Sequence, residues 1–144
     1  MSDTIQIVID NNPSGQMTRV LYKGIFEANV ARTGDGTVDV ISVFARDGDD
    51  KVIGGIIGSA YWGWINITSV WVDPAHRRQG LASRMLRTIE AEAVERGYHH
   101  AYLDTFTFQT PDLYLRAGYE IIGTLDQFPP GFARHFMRKT LIRS

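Results

Sequence analysis

Hydrophobic and polar positions divide the chain into short runs of two periodicities. Residues 4–9, Thr-Ile-Gln-Ile-Val-Ile, are β-branched and end in the turn residues of 10–15, which predicts a strand. From 16 to 32 the apolar residues Met17, Val20, Leu21, Ile25, Phe26 and Val30 form an approximate helical stripe, broken by Gly34 and Gly36. Val38, Val40, Ser42 and Phe44 then alternate with Ile41 and Val43 in a strand. Asp47-Gly48-Asp49-Asp50 turns the chain into a hairpin partner over 51–61, where Gly54, Gly55 and Gly58 point to bulges or close backbone approach. A turn at Trp62-Gly63-Trp64 leads into a third strand of this meander, 65–72.

A loop over 73–80 opens onto the clearest helix, 81–96. Its apolar residues Leu81, Met85, Leu86, Ile89, Ala93 and Val94 share one face, and Gly97 stands where a left-handed cap is expected. A short strand, 101–104, follows, with His99 and His100 expected in the turn before it. Thr110, Pro111 and Asp112 read as an N-cap, a first-turn proline and an acidic second residue of a brief helix ended by Gly118. Two last strands, 120–125 and 134–141, flank a loop with Phe128-Pro129-Pro130-Gly131. The segment 65–104 is a strand–helix–strand unit and should cross over right-handedly, so the sheet is mixed. The class is α/β (α+β): a largely antiparallel twisted sheet of six to seven strands flanked by helices.

Composition narrows this picture. The 144 residues suit one domain, 1–144, with no internal repeat or linker. Apolar residues at 44% and charged residues at 22% argue against a disordered chain. There is no cysteine, hence no disulfide, thiolate metal site or cysteine nucleophile. Fifteen basic against 16 acidic residues give a net charge of -1, which argues against a nucleic-acid partner. No run approaches the roughly 18 apolar residues of a membrane span, and Met1 to Thr4 do not begin a secretory signal. A cytoplasmic protein without a membrane partner is the expectation.

The near-neutral total conceals one polarised stretch. Val70-Trp71-Val72-Asp73-Pro74-Ala75-His76-Arg77-Arg78-Gln79-Gly80-Leu81-Ala82-Ser83 runs from a strand through a loop directly into the long helix. First-turn N–H groups of a helix lack intrahelical partners and sit at the positive end of its dipole, where an anionic phosphate is a natural ligand. Gly80 and Ala82 leave room for close approach, and Arg77, Arg78, Arg84 and Arg87 cluster nearby without an acid among them. A plain loop before a surface helix, with solvated arginines, is the competing reading. The stretch is neither a Walker loop nor a dinucleotide fingerprint.

Arg77-x-x-Gly80-x-Ala82 after a Val-rich strand resembles motif A of the GNAT superfamily of acetyl-CoA-dependent N-acetyltransferases. Asp112-Leu-Tyr114-Leu-Arg-Ala-Gly118-Tyr119 resembles its motif B, and the likeness extends over essentially the whole chain. Phe108-Gln109 and Pro130-Gly131 are similar to a group of small bacterial members. Two positions depart from the pattern: Ala82 replaces a commoner glycine, and Thr107 replaces an asparagine that holds the cofactor in many relatives.

The resemblance implies an acyl-CoA N-acyltransferase fold and acetyl-CoA as acetyl donor, with no metal. It places the pyrophosphate on Arg77, Arg78, Gln79, Gly80, Leu81, Ala82 and Ser83, and the pantetheine arm along Val70, Trp71 and Val72. It implies direct attack of a small-molecule or peptide amine on the thioester, with Tyr114 as the acid for the leaving thiolate. An unperturbed phenol, with pKa about 10, is protonated at neutral pH and can donate. A backbone N–H within 70–72 is the expected oxyanion donor. Asp104 is the candidate base, with a strand-end structural carboxylate as its alternative, and Glu27 is a weaker candidate. His135 is expected to be hydrogen-bonded in a strand. Of the aromatic residues near the cleft, Trp64 and Phe106 are expected to contact the acceptor; packing, in the core or in a homodimer, is the alternative. Two other functions compete: a non-catalytic acyl-CoA sensing module and a generic phosphate-binding domain.

Overall fold

The computed structural model describes residues 4–142, so Met1, Ser2 and Asp3, read above for a leader, lie outside it. The chain forms two compact units, Met1–Gly36 and Thr37–Ser144. The first holds helix α1, Gly15–Thr33. Ser14 caps it, its hydroxyl accepting from the Met17 N–H at 3.2 Å, and Gly34 ends it in the left-handed region with φ 74°. Residues 4–9 belong to no regular element, contrary to the predicted strand. A strand exists only with a ladder partner, and within this unit the chain offers none.

The second unit is built on a six-stranded sheet in the order β1-β2-β3-β4-β6-β5. Its strands are β1 Asp39–Arg46, β2 Val52–Tyr61, β3 Trp64–Val72, β4 His100–Phe106, β5 Glu120–Asp126 and β6 Ala133–Thr140. Helix α2, Leu81–Glu95, connects β3 to β4, and the short α3, Pro111–Arg116, precedes β5. Among the described residues, only β3 and β4 pair in parallel. Alternation sends Ile41, Ile56, Ile65, Leu103 and Met137 to one face, where they pack with Met85, Leu86, Ile89 and Ala93 of α2. Trp64, His100, Tyr102, Asp104 and Phe106 take the opposite register positions.

Two local expectations are corrected. His100 is not in a turn: β4 begins there because β6 runs beside its whole length, and the His100 ring stacks on Trp64 at 4.7 Å. Thr110 precedes α3 but makes no side-chain cap bond, so that helix starts without one.

The arrangement that shapes the site is the divergence of the parallel pair. β3 and β4 are in register from Trp64–His100 to Ile67–Leu103 and then separate, while β3 continues to Val72 on β2. A register shift between Ile57 and Gly58 redirects β2 and β3 at that level. Gly58 is required there: a Cβ would lie 2.8 Å from Ile65 Cδ1 and 3.1 Å from the Asn66 carbonyl oxygen. Gly58→Ala should therefore lower stability by about 1–3 kcal/mol in urea titrations. An unchanged midpoint would show that the bulge tolerates a side chain.

Candidate active site

The parted strands open a cleft of about 950 Å³ within the second unit. One wall is the end of β3, including Val70, Trp71 and Val72; the opposite wall includes Leu103, Asp104 and Thr105 of β4, the loop after it, and α3. Arg77, Arg78, Gly80, Leu81, Ala82 and Ser83 close one end. Nearly all the residues expected for cofactor binding thus line one cavity; Gln79 alone among them does not.

The α2 end of the cleft presents backbone donors and open space. Its first backbone bond within the helix runs from the Arg84 N–H to the Gly80 carbonyl, and Gly80 supplies no side-chain cap. The N–H groups of residues 81–83 therefore lack helical acceptors, at the positive end of a 15-residue helix. Gly80 has φ 73°, and a Cβ there would meet nothing within 4 Å, so open space lies beside the backbone. Arg77 Nε donates to the Val72 carbonyl at 3.0 Å, which fixes this cation at the end of β3. His76 Nδ1 lies 3.0 Å from Asp73 Oδ2 in the same turn.

Tyr114 lies at the other part of the lining and is buried, 8% exposed. Burial raises its pKa above the ordinary phenol value, so the hydroxyl keeps its proton through neutral pH. Asp104 lines the cleft too, but its Oδ1 accepts from Arg134 Nε at 2.8 Å. That hydrogen bond, with the charge of Asp104, raises the Arg134 pKa further. The Arg134 guanidinium carbon is also 5.4, 5.1 and 5.0 Å from the ring centroids of Phe106, Phe128 and Phe136. Sequence reasoning missed Arg134 because no local pattern pairs it with a residue 30 positions away.

The two expected acceptor contacts are placed differently. Trp64 lies where β3 and β4 are still paired and does not line the cleft, which opens beyond Ile67. Phe106 does not line it directly but stacks on Phe108, which does, at 5.3 Å. Thr107, at the variant position, uses its hydroxyl to accept from the Ala133 N–H at 3.1 Å. Gln109 Oε1 accepts from the Phe106 N–H and the Thr105 hydroxyl, folding the loop after β4. Glu27 lies on α1 and pairs with Lys23 at 3.8 Å. His135 Nδ1 is 2.9 Å from the Thr124 hydroxyl, in the strand environment expected of it.

Comparison with known proteins agrees with this architecture. A family model described as "Acetyltransferase (GNAT) family" matches residues 14–119. A blasticidin-S acetyltransferase from Streptomyces morookaense is 32% identical over 105 residues, 72% of this chain and 77% of that protein. The crystal structure of an acetyltransferase from Bacillus cereus superimposes with a TM-score of 0.84 at 27% identity, covering 92% of this chain and 97% of that one. An aminoglycoside 6'-N-acetyltransferase complexed with coenzyme A has a TM-score of 0.65 at 19% identity over 90% of this chain and 89% of its own, a likeness of fold.

Spectrophotometric titration tests the environment of Tyr114. Tyr114→Phe should remove absorbance change only above the ordinary phenol value of about 10. Loss of a phenol that titrates near that value would contradict a buried, proton-retaining hydroxyl.

Proposed function

Because the chain belongs to the acetyltransferase (GNAT) family and is an acetyltransferase, we propose that it transfers acetyl from acetyl-CoA to a primary amine by direct attack in a ternary complex. The observation that carries this reading is the meeting of three features in one cleft: unsatisfied first-turn N–H groups, a strand edge without a partner, and a buried phenol. The first suits a pyrophosphate, the second the amide-bearing pantetheine arm, and the third a leaving thiolate. The coenzyme complex of a fold neighbour supports the same donor.

The donor supplies an activated thioester; the chain's residues do the rest. Leu81, Ala82 and Ser83 offer N–H groups to the pyrophosphate, Gly80 gives it backbone room, and Arg77 and Arg78 offset its charge. Val70, Trp71 and Val72 hold the arm by main-chain hydrogen bonds, and an N–H among them stabilises the developing oxyanion. Tyr114 donates its proton to the thiolate as the carbon–sulfur bond breaks, and the second proton of the attacking nitrogen, released as the amide forms, restores the phenol through water. Asp104, ion-paired with Arg134, draws the acceptor ammonium into the cleft and receives its proton directly or through water.

Phe108, exposed at the cleft and stacked on Phe106, offers the acceptor an apolar wall. The blasticidin-S acetyltransferase relative favours a small amine-bearing molecule over a peptide. A homodimer is the proposed assembly, acting without a metal.

Titration calorimetry and a thiol-release screen over nucleoside and aminoglycoside antibiotics, polyamines, amino acids and peptides test the reading. Acetyl-CoA should bind, and one of the small amines should release thiol. Tyr114→Phe should lower kcat by about 10²-fold with the acetyl-CoA Kd unchanged, as expected for a lost general acid. Gly80→Val should do the reverse, weakening acetyl-CoA binding because a β-branched residue resists φ 73°. Tight binding without turnover on any amine would favour a sensing module, and no binding would sink both.

Asp104→Asn should lower kcat/KM for the acceptor while leaving the acetyl-CoA Kd unchanged. An equal loss of acetyl-CoA affinity would make Asp104 a strand-end structural group instead.

A further inference from the structure

Glu90 of α2, Tyr119 just before β5 and Lys139 of β6 meet one another, Tyr119 against Tyr114, and the mechanism above uses none of them. The Tyr119 ring packs edge-on against Tyr114, centroids 6.0 Å apart at 78°. The Tyr119 hydroxyl donates to Glu90 Oε2 at 2.8 Å, and Lys139 Nζ donates to Glu90 Oε1 at 2.9 Å. Lys139 Nζ also lies 5.5 Å from the Tyr119 ring centroid. Glu90 sits on α2, the helix whose first turn lines the cleft, and is 8% exposed among the buried Leu86, Ile89 and Ala93.

Apolar residues of similar volume would stabilise this packing at least as well as a buried carboxylate and ammonium, whose desolvation offsets most of their attraction. What the charged set adds is direction. Both Glu90 oxygens are engaged, so the Tyr119 hydroxyl is held at one point and its ring has one orientation. Burial, then the charge of Glu90, push the Tyr119 phenol far above its ordinary range, so the donor to Glu90 persists. Helix α3, by contrast, has six residues and no side-chain N-cap, too little to fix Tyr114 by itself. Its far end is held instead by the Tyr119 N–H, which donates to the Tyr114 carbonyl at 2.9 Å.

We infer that Glu90, Tyr119 and Lys139 form a positioning network that aims the Tyr114 hydroxyl into the cleft and couples it to the helix that receives the pyrophosphate. The inference rests on Tyr114 acting as the acid. It makes Glu90 and Tyr119 positioning residues, since neither lines the cleft.

Glu90→Gln keeps the volume and an acceptor oxygen; Tyr119→Phe keeps the ring and leaves the Glu90–Lys139 pair intact, a second variant should the first not fold. Each should lower kcat by about tenfold with the acetyl-CoA KM within about twofold, and neither should lower it further in a Tyr114→Phe background. Losses that persist in that background, or an equal rise in KM, would overturn the inference in favour of general packing. A second readout needs no turnover: in ¹³C-tyrosine NMR the Tyr114 ring signal should shift or broaden in both variants while amides 81–83 stay in place. An unchanged Tyr114 signal overturns the network. If Tyr114→Phe leaves turnover intact, the acid assignment fails, and the ring signal alone decides whether the network positions Tyr114.

Discussion

Strands β3 and β4 can share hydrogen bonds only to Ile67 and Leu103, and the rest of the site follows from that separation. A parallel pair needs a crossover, and α2 supplies it; the connection that makes the strands parallel therefore delivers a helix N-terminus to the mouth of the gap. A ligand entering at the carboxyl ends of the strands meets a free strand edge and unsatisfied helix N–H groups together, the general logic of sites at such switch points. Gly58 at the adjacent bulge and Gly80 at the helix start are backbone permissions this geometry uses.

Charge is distributed to match. A net charge of -1 gives no hint of the cations between β3 and α2. Arg77 is fixed on the Val72 carbonyl, so part of that positive charge is ordered before any ligand arrives. On the opposite wall Asp104 is held by Arg134, itself surrounded by three phenylalanine rings. A cationic, N–H-bearing end and a wall carrying the Asp104–Arg134 pair thus share one cleft, the distribution that the proposed donor and acceptor would require.

Much of this was legible in the chain. The stripe of Met85, Leu86, Ile89 and Ala93 gave α2, and the alternation around Ile41 gave β1, because both signals are local and periodic. The loop from Arg77 to Ser83 was legible because a strand, a glycine and a helix in succession have few geometries. What escaped was non-local. Residues 4–9 have strand propensity without a ladder partner, and β4 outruns its short apolar core because β6 pairs along its length. That Trp64 lies off the cleft was not legible, because sequence does not say where two parallel strands part. Glu90 escaped because a carboxylate within an apolar stripe reads as solvated until Tyr119 and Lys139 are seen beside it.

The central claim is that the parted edge of β3 and the first turn of α2 together receive the donor. Amide hydrogen exchange with and without acetyl-CoA tests it most directly. The account predicts slowed exchange at residues 70–72 and 81–83 together, with little change along the paired lengths of β1 and β2. Protection elsewhere, with these two segments unaffected, would contradict it.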